Sequence, residues 1–283
     1  MDILSEFPDD TIDLNISWMR IQGPLDFSRF TKLKKLECHI NEITELNNLP
    51  NSLEELKCSN NVINNLNNLP NNLVNLECEN NEITNLDNLP NSLKYLICNV
   101  NELKNLDNLP NSLETLICQH NDLTSLNNLP CSLKVLDCSR NKIQKLDNLP
   151  NSLIELNCSL NKITELNNLP KFLEKLICDN NDNLIHLDNL PNTLNFLCCR
   201  ACLIIDLDLL PNSLHNLRCS GNKITKLDNL PNNLVILECD DNEITTLDNL
   251  PNNLQELSCR NMFLNSLSNL PRTLKKLDYR FDL

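Results

Sequence analysis

Cys199 and Cys202 are separated by two residues, the C-x-x-C spacing of redox pairs and of half of many zinc sites. A structural zinc ion takes four ligands, and no second C-x-x-C supplies the other two. Both residues also occupy positions where other segments of the chain carry a cysteine and an asparagine. The pair is therefore interpreted as structural, with metal binding as the alternative.

A column of carboxylates is the second candidate for metal chemistry. Ca²⁺ takes six to eight oxygen ligands, so carboxylates stacked at strand spacing could collect it. Asp and Asn at such positions can instead close turns by bonding nearby backbone amides. The sequence favours the turn, because calcium-binding repeats use glycine-rich loops and this chain has only two glycines. The column consists of Asp188, Asp208, Asp228 and Asp248.

The four histidines, His39, His120, His186 and His215, have no nucleophile or carboxylate partner at a recognisable spacing. The two glycines also exclude the glycine-rich loops that hold nucleotide phosphates. We therefore predict no catalytic residue, no cofactor and no metal ligand. A metal-dependent or hydrolytic activity stays the weakest alternative.

The elements that position these residues follow from a repeat of about 20 residues. Between Leu53 and Pro70, Leu56 and Cys58 alternate with polar residues, as in a strand with one buried face. Pro70 prevents a helix on the return path. A fixed period of this length indicates a solenoid. The first leucine of the repeat recurs at Leu33, Leu53, Leu73, Leu93, Leu113, Leu133, Leu153 and Leu173 and, after one extra residue, at Leu194, Leu214, Leu234 and Leu254.

Twelve of the fifteen cysteines occupy one repeat position. Stacked strands lie roughly 4.8 Å apart, whereas the Cβ atoms of a disulfide approach to about 3.8 Å. We expect reduced, buried thiols. Cys131 and Cys198 lie off this ladder and are expected to be exposed. The ladder consists of Cys38, Cys58, Cys78, Cys98, Cys118, Cys138, Cys158, Cys178, Cys199, Cys219, Cys239 and Cys259.

An asparagine also recurs once in most repeats. A buried amide has donors and an acceptor, so it can satisfy the backbone of its own turn and of the adjacent rung. Cys202 and Met262 replace it in two rungs, and a thioether cannot donate, which predicts local irregularity around Met262. The series is Asn41, Asn61, Asn81, Asn101, Asn121, Asn141, Asn161, Asn181, Asn222 and Asn242.

The motif LxxLxCxxNxI resembles the leucine-rich repeat signature LxxLxLxxNxL from Leu33 to Pro271, with a partial thirteenth rung at Leu274. The short repeat with its Leu-Pro pair resembles bacterial secreted effectors, and the LPNSL phrase resembles repeat proteins of amoebae and their giant DNA viruses. The resemblance implies a right-handed solenoid of the α/β horseshoe class, mostly β by content. It implies a parallel sheet on the concave face, an irregular convex side with little helix, and recognition of a partner by the concave face without catalysis.

Three segments are expected along the chain. Residues 1–32 form an N-terminal cap with one irregular strand, residues 33–273 form twelve repeats, and residues 274–283 form a terminal strand with no evident cap. The proposed cap contains Phe7, Trp18, Met19, Phe27 and Phe30. An uncovered terminal strand favours, as an alternative function, assembly of a homodimer through this edge, unless Asp278, Arg280 and Asp282 merely protect it.

The net charge of -14 makes nucleic acid and anionic membranes poor partners, because both are bound through clustered Lys and Arg. No apolar run approaches the ~18 residues of a membrane span, and the first residues lack the pattern of a secretory signal. We expect an intracellular, cytoplasmic protein.

Outward positions of the strands are mostly polar or charged, with two exceptions that we predict to bind an unidentified protein partner. β-branched residues chosen for strand propensity are the alternative explanation. The first cluster is expected on three neighbouring strands, and the second lies further along the chain. The clusters are Tyr95, Ile97, Val100, Ile117 and Val135, and Ile177, Phe196 and Cys198.

Overall fold

The computed structural model describes residues 3–280 except 263, 265 and 268. It divides into two compact units, residues 1–137 and 138–283.

The first unit is built around one parallel sheet. Seven short strands form it in the order β1-β3-β5-β6-β7-β8-β9, and each pairs in register with the next. Strands β2 and β4 form a separate parallel pair. The strands are β1 (Asp13–Asn15), β2 (Gln22–Asp26), β3 (Lys35–Glu37), β4 (Glu42–Asn47), β5 (Glu55–Lys57), β6 (Asn75–Glu77), β7 (Tyr95–Ile97), β8 (Thr115–Ile117) and β9 (Val135–Asp137).

The second unit repeats this plan with seven parallel strands in sequence order. The strands are β10 (Glu155–Asn157), β11 (Lys175–Ile177), β12 (Phe196–Cys198), β13 (Asn216–Arg218), β14 (Ile236–Glu238), β15 (Glu256–Ser258) and β16 (Lys276–Asp278).

Each strand of the long sheets has three residues and buries only one face. In β5 the central Leu56 is buried between two half-buried polar residues, and Cys58 directly after the strand is buried as well. The strand starts after a turn in which the Leu53 N–H donates to the Pro50 carbonyl at 3.0 Å. Backbone pairing continues beyond the strand, since the Cys58 N–H donates to the Glu77 carbonyl at 2.8 Å. The repeat therefore specifies a turn, a strand and an inter-rung ladder in fixed order.

The predicted leucine-rich repeat solenoid, with a parallel sheet and little helix, is confirmed. Among the described residues the helical content is one four-residue 3₁₀ turn, Ile3–Glu6, and no helix there is long and apolar enough to cross a membrane.

The N-terminal segment differs from its expected form. Residues 3–32 contain two strands and a 3₁₀ turn instead of one strand, and the β2–β4 pair adds regular structure to a return path expected to be irregular. Its register shifts at Gly23, whose φ of 79° suits glycine. Phe27 and Phe30 are fully buried, but Trp18 is 71% exposed. Trp18 was expected to help cover the apolar core, but it does not.

The twelve ladder cysteines are buried and form no disulfide, as predicted. Thiols donate to carbonyl oxygens of the next rung, for example Cys118 to Asp137 and Cys239 to Ser258, at 3.4 and 3.3 Å. Burial raises the pKa of Cys38 and of Cys98 to about 12.

The asparagine series bridges neighbouring rungs, which confirms its predicted role. Nδ2 of Asn121 donates to the carbonyl oxygens of Cys98 and Cys118, both at 3.1 Å. Its Oδ1 accepts from the Leu103 N–H at 3.0 Å. One buried side chain thus satisfies backbone groups of its own turn and of the preceding rung.

Where Cys202 replaces this asparagine, the preceding rung contains the one inserted residue of the repeat series. Cys202 donates from Sγ to the Cys178 carbonyl at 3.4 Å, but it offers no amide oxygen to the preceding rung. The N–H that would need that oxygen belongs to Leu184, and it donates instead to the Asn181 carbonyl at 3.0 Å. This turn contains the extra residue, so the insertion compensates for the loss of the acceptor.

Met262, the other replacement, is buried. Phe263, Asn265 and Ser268 lie outside the described residues, so the irregularity expected there stays a prediction. Phe281, Asp282 and Leu283 of the expected terminal strand also lie outside them.

We predict that Asn121→Leu lowers the free energy of unfolding by about 2 kcal/mol or more, because the Leu103 N–H and two carbonyls lose a buried partner. Urea denaturation followed by circular dichroism measures this change. An unchanged midpoint would contradict the ladder.

The reciprocal pair Asn121→Cys and Cys202→Asn provides the control. Asn121→Cys should destabilise, since no inserted residue serves Leu103. Cys202→Asn should change stability little, because the Leu184 N–H is already bonded.

Candidate functional site

The first unit has an apolar patch on the exposed face of its sheet. Tyr95 lies beside Thr115, which lies beside Val135 on the next strand, and Ile97 faces Ile117 in register. Tyr95 is 46% exposed, and the other apolar members are partly exposed. We define the Tyr95 patch as Tyr95, Ile97, Ile117 and Val135.

Val100 does not belong to this strand surface, contrary to expectation. It follows β7 in a turn, at φ 52°, and its side chain is exposed. The same repeat position holds Asn60 and Asn80, which also have positive φ. The turn requires the left-handed conformation there, which is costly for a β-branched residue. Val100 is therefore set apart by backbone geometry from the residues it was expected to join.

One border of the patch is a lattice of ion pairs. Lys35 lies 2.9 Å from Glu37 and 3.7 Å from Glu55, while Lys57 lies 3.4 Å from Glu55 and 3.1 Å from Glu77. The hydrogen bond from Lys35 lowers the pKa of Glu37. The lattice ends at Glu77, which is in register with Ile97. The apolar patch begins where this alternation of charges stops.

The remaining borders are also charged and paired. Ile117 is in register with Asp137, whose carboxylate accepts a hydrogen bond from Gln119 Nε2 at 3.0 Å. Beyond the N-terminal ends of the strands, Glu114 lies 2.6 Å from Lys134 and 3.7 Å from Lys94. The hydrogen bond from Lys134 lowers the pKa of Glu114. The patch is therefore an apolar area with a polar rim.

The second cluster is not an open apolar surface, and the expected exposure of Cys198 is wrong. Cys198 is 4% exposed, because it is a small residue between Ile177 and Arg218 on the adjacent strands. Its thiol donates to Asp179 Oδ2 at 3.3 Å. Burial is the main cause and the hydrogen bond to this carboxylate the second cause that raise the pKa of Cys198 to about 12.

Phe196 in the same cluster is already engaged by a cation. The guanidinium carbon of Arg218 lies 5.5 Å from the centroid of its ring, within the range of a cation–π interaction. Arg218 and Arg200 both approach Glu238, so charged side chains surround this area. Ile177 stays partly exposed beside them.

The metal candidates have structural contacts instead. Cys199 and Cys202 are buried, and no group of metal-binding side chains occurs in the described part of the chain. The aspartate column links rungs: the Asp208, Asp228 and Asp248 carboxylates accept from the side-chain amides of Asn229, Asn249 and Asn269 at 3.4, 3.1 and 3.0 Å. These partners are side chains of the next rung, whereas the sequence suggested backbone amides.

The structure also brings together a serine and a histidine that the sequence analysis did not connect. Ser17 Oγ lies 3.0 Å from His39 Nδ1. The two residues are 22 positions apart and occupy equivalent positions of neighbouring rungs. Asp179, at the equivalent position of its rung, also bonds to the next rung, where its Oδ1 accepts from the Arg200 backbone N–H at 2.8 Å. We therefore interpret the Ser17–His39 contact as part of the inter-rung ladder.

No protein-family model and no curated protein matches the chain. Several solved structures match the chain. YopM from Yersinia enterocolitica WA-314 is 28% identical over 95% of this chain and 78% of its own, with a TM-score of 0.69. The functional domain of InlJ from Listeria monocytogenes, described as including a cysteine ladder, is 29% identical over 83% of this chain and 64% of its own, with a TM-score of 0.56.

The circular leucine-rich repeat protein CroV588 is 26% identical over 90% of this chain and 47% of its own, with a TM-score of 0.57. The chain thus spans less than two thirds of InlJ's matched domain and about half of CroV588. The chain has the leucine-rich repeat solenoid fold with 20-residue repeats and is similar to bacterial and viral proteins of that fold. This likeness supports a protein-interaction scaffold in general.

We predict that iodoacetamide modifies one cysteine per native chain, Cys131, because it is exposed whereas Cys198, Cys202 and the ladder thiols are buried. Mass spectrometry of tryptic peptides measures the labelling. Cys131→Ser should remove the native adduct, and denaturation should expose all fifteen cysteines. Rapid native labelling of Cys198 would contradict its burial.

Proposed function

We propose that this protein is a non-catalytic recognition scaffold that binds a protein partner on the exposed face of its sheet, the side that the resemblance predicts to be concave. The observation that carries the proposal is the Tyr95 patch, in which four apolar side chains lie on three adjacent strands within a rim of paired charges. Apolar areas with polar rims are typical of protein interfaces, and aromatic residues often dominate their binding energy.

Strand propensity alone explains the patch less well. The equivalent positions in β3 and β5 hold charged residues, and these satisfy one another across the strands. The sheet therefore tolerates charge at these positions. Ile97 and Ile117 interrupt the lattice on two consecutive strands, beside an aromatic residue that is about half exposed. This grouping supports a binding surface over independent choices of β-branched residues.

The test uses the double variant Tyr95→Ala/Ile117→Asp in quantitative affinity capture from a cell extract. A partner retained by the wild-type chain should be lost from this variant, because the aromatic anchor is removed and a charge enters the apolar area. Ile205→Asp is the matched control, since it places the same charge at an exposed isoleucine on a return segment. Equal recovery on the patch variant and the wild type would reject this site.

Self-association is the second candidate function. It is supported by the last described rung, where Leu274 and Leu277 are half-buried although their equivalents Leu254 and Leu257 are buried. Among the described residues β16 is the last strand of the second unit's sheet, and strand edges can pair with another chain.

Light scattering over a range of protein concentrations tests this candidate. A mass that rises towards twice that of the 32.4 kDa chain is expected for a homodimer. A constant monomer mass would reject self-association and leave the scaffold proposal intact.

A further inference from the structure

We infer that the partner segment that binds the Tyr95 patch is basic, with lysine or arginine next to an apolar anchor. This inference rests on the proposed function and names the chemical class of its partner. It is carried by the distribution of charge over the two units and by the carboxylate of Glu79 at the edge of the patch.

The negative charge is concentrated in the first unit. Residues 1–137 include 20 acidic and 9 basic side chains, whereas residues 138–283 include 18 and 15. Because the two units are of similar length, this imbalance is a property of the unit that carries the patch. Its field attracts cations and raises their rate of encounter.

The excess of acidic residues extends to the exposed face of the sheet. We define this face as the first and third residue of each strand together with the residue two positions after the end of the strand. In the first unit this face has six acidic residues and two basic ones, whereas the face of the second unit has six of each. The charged residues of the first face are Asp13, Glu37, Glu55, Glu77, Glu79 and Asp137, with Lys35 and Lys57.

Two buried oxygen atoms beside the patch have no hydrogen-bond partner among the described residues. They are Oδ1 of Asn75, the first residue of β6, and Oε2 of Glu79, two residues after the end of that strand. Asn75 is in register with Tyr95. A buried acceptor that lacks a donor costs free energy, so such atoms are uncommon in folded proteins. Glu79 as a whole stays partly exposed, so a cation from a ligand can approach the exposed part of this side chain.

Glu79 also lies within reach of a ligand on the patch. The Cys78 N–H donates to the Ile97 carbonyl and the Asn80 N–H to the Asn99 carbonyl, both at 2.8 Å. These bonds hold Glu79 one strand spacing, roughly 4.8 Å, from the rung that contains Tyr95 and Ile97. A peptide whose apolar side chain contacts Ile97 can therefore place a neighbouring lysine or arginine at the Glu79 carboxylate.

The existing ion pairs do not neutralise this carboxylate. Lys57, the nearest cation of the lattice, already pairs with Glu55 and Glu77. Lys94 and Lys134 pair with Glu114 at the other end of the strands. Among the described residues, Glu79 makes no ion pair within 4.0 Å. This carboxylate is therefore available to a cation that the ligand supplies.

The test probe is a phage-displayed library of random peptides of about 12 residues, a length that spans several strands at roughly 3.3 Å per residue. It is panned on the wild-type chain and on Tyr95→Ala/Ile117→Asp. Peptides retained only by the wild type should be enriched in lysine and arginine near an aromatic or aliphatic residue. Their affinity should fall as salt is raised, because salt screens exposed charges.

The contribution of Glu79 is measured with the selected peptides in fluorescence anisotropy. Glu79→Gln should raise the dissociation constant about tenfold through loss of a charge-assisted hydrogen bond. Glu82→Gln is the matched control, because it makes the same substitution at an exposed residue of the same rung, on the return segment, and it should leave binding within about twofold. Thermal melts establish that both variants are folded.

The outcomes separate the inference from the proposed function. Patch-dependent peptides that show no basic enrichment, or that bind Glu79→Gln as well as wild type, would overturn the basic partner and keep the patch as a binding site. A library that yields no binders, or only peptides that bind Tyr95→Ala/Ile117→Asp equally well, would overturn the basic partner segment, whereas the patch itself is rejected by equal capture of the partner from the extract.

Discussion

The fold depends on satisfying the backbone polar groups that are buried where each rung turns away from the sheet. The turn directs N–H and C=O groups towards the apolar interior, where an unpaired group costs more than a hydrogen bond contributes. The recurring asparagine solves this with one side chain, because its amide reaches two rungs at once. A rung is thus completed by its neighbour, so stability comes from stacking and not from single repeats.

This constraint explains why the repeat length is almost invariant and why its exception has a particular form. A change in length shifts every donor relative to the next rung, so an isolated insertion would leave buried groups unpaired. The inserted residue near Asp182 is accommodated because its turn supplies the Asn181 carbonyl to Leu184. The rung above then no longer needs an asparagine, and Cys202 fills that position. The inserted residue and the replacement of asparagine by Cys202 therefore both follow from how the Leu184 N–H is bonded.

Positions that face the interior could be predicted from the sequence because the period fixes their direction. The leucine, cysteine and asparagine columns lie where the repeat placed them, and the register of the strand pairs from β3 to β9 agrees with it. Features that depend on side chains of neighbouring rungs could not be predicted in this way. Cys198 occupies an outward position, yet it is buried because its neighbours are larger. Val100 is of a residue type that is common in strands, but the backbone turns at this position.

The difference between interior and outward positions also determines where binding specificity can lie on this molecule. Interior columns are constrained by packing and by buried hydrogen bonds, so they vary little, whereas the outward columns are constrained mainly by their lateral neighbours. In β3 and β5 those neighbours form an ion-pair lattice, and each exposed pair contributes little to stability. Replacing part of such a lattice with Tyr95, Ile97 and Ile117 therefore costs the fold little. It creates an apolar area whose burial by a partner is favourable, and the acidic surface around that area selects which partner arrives.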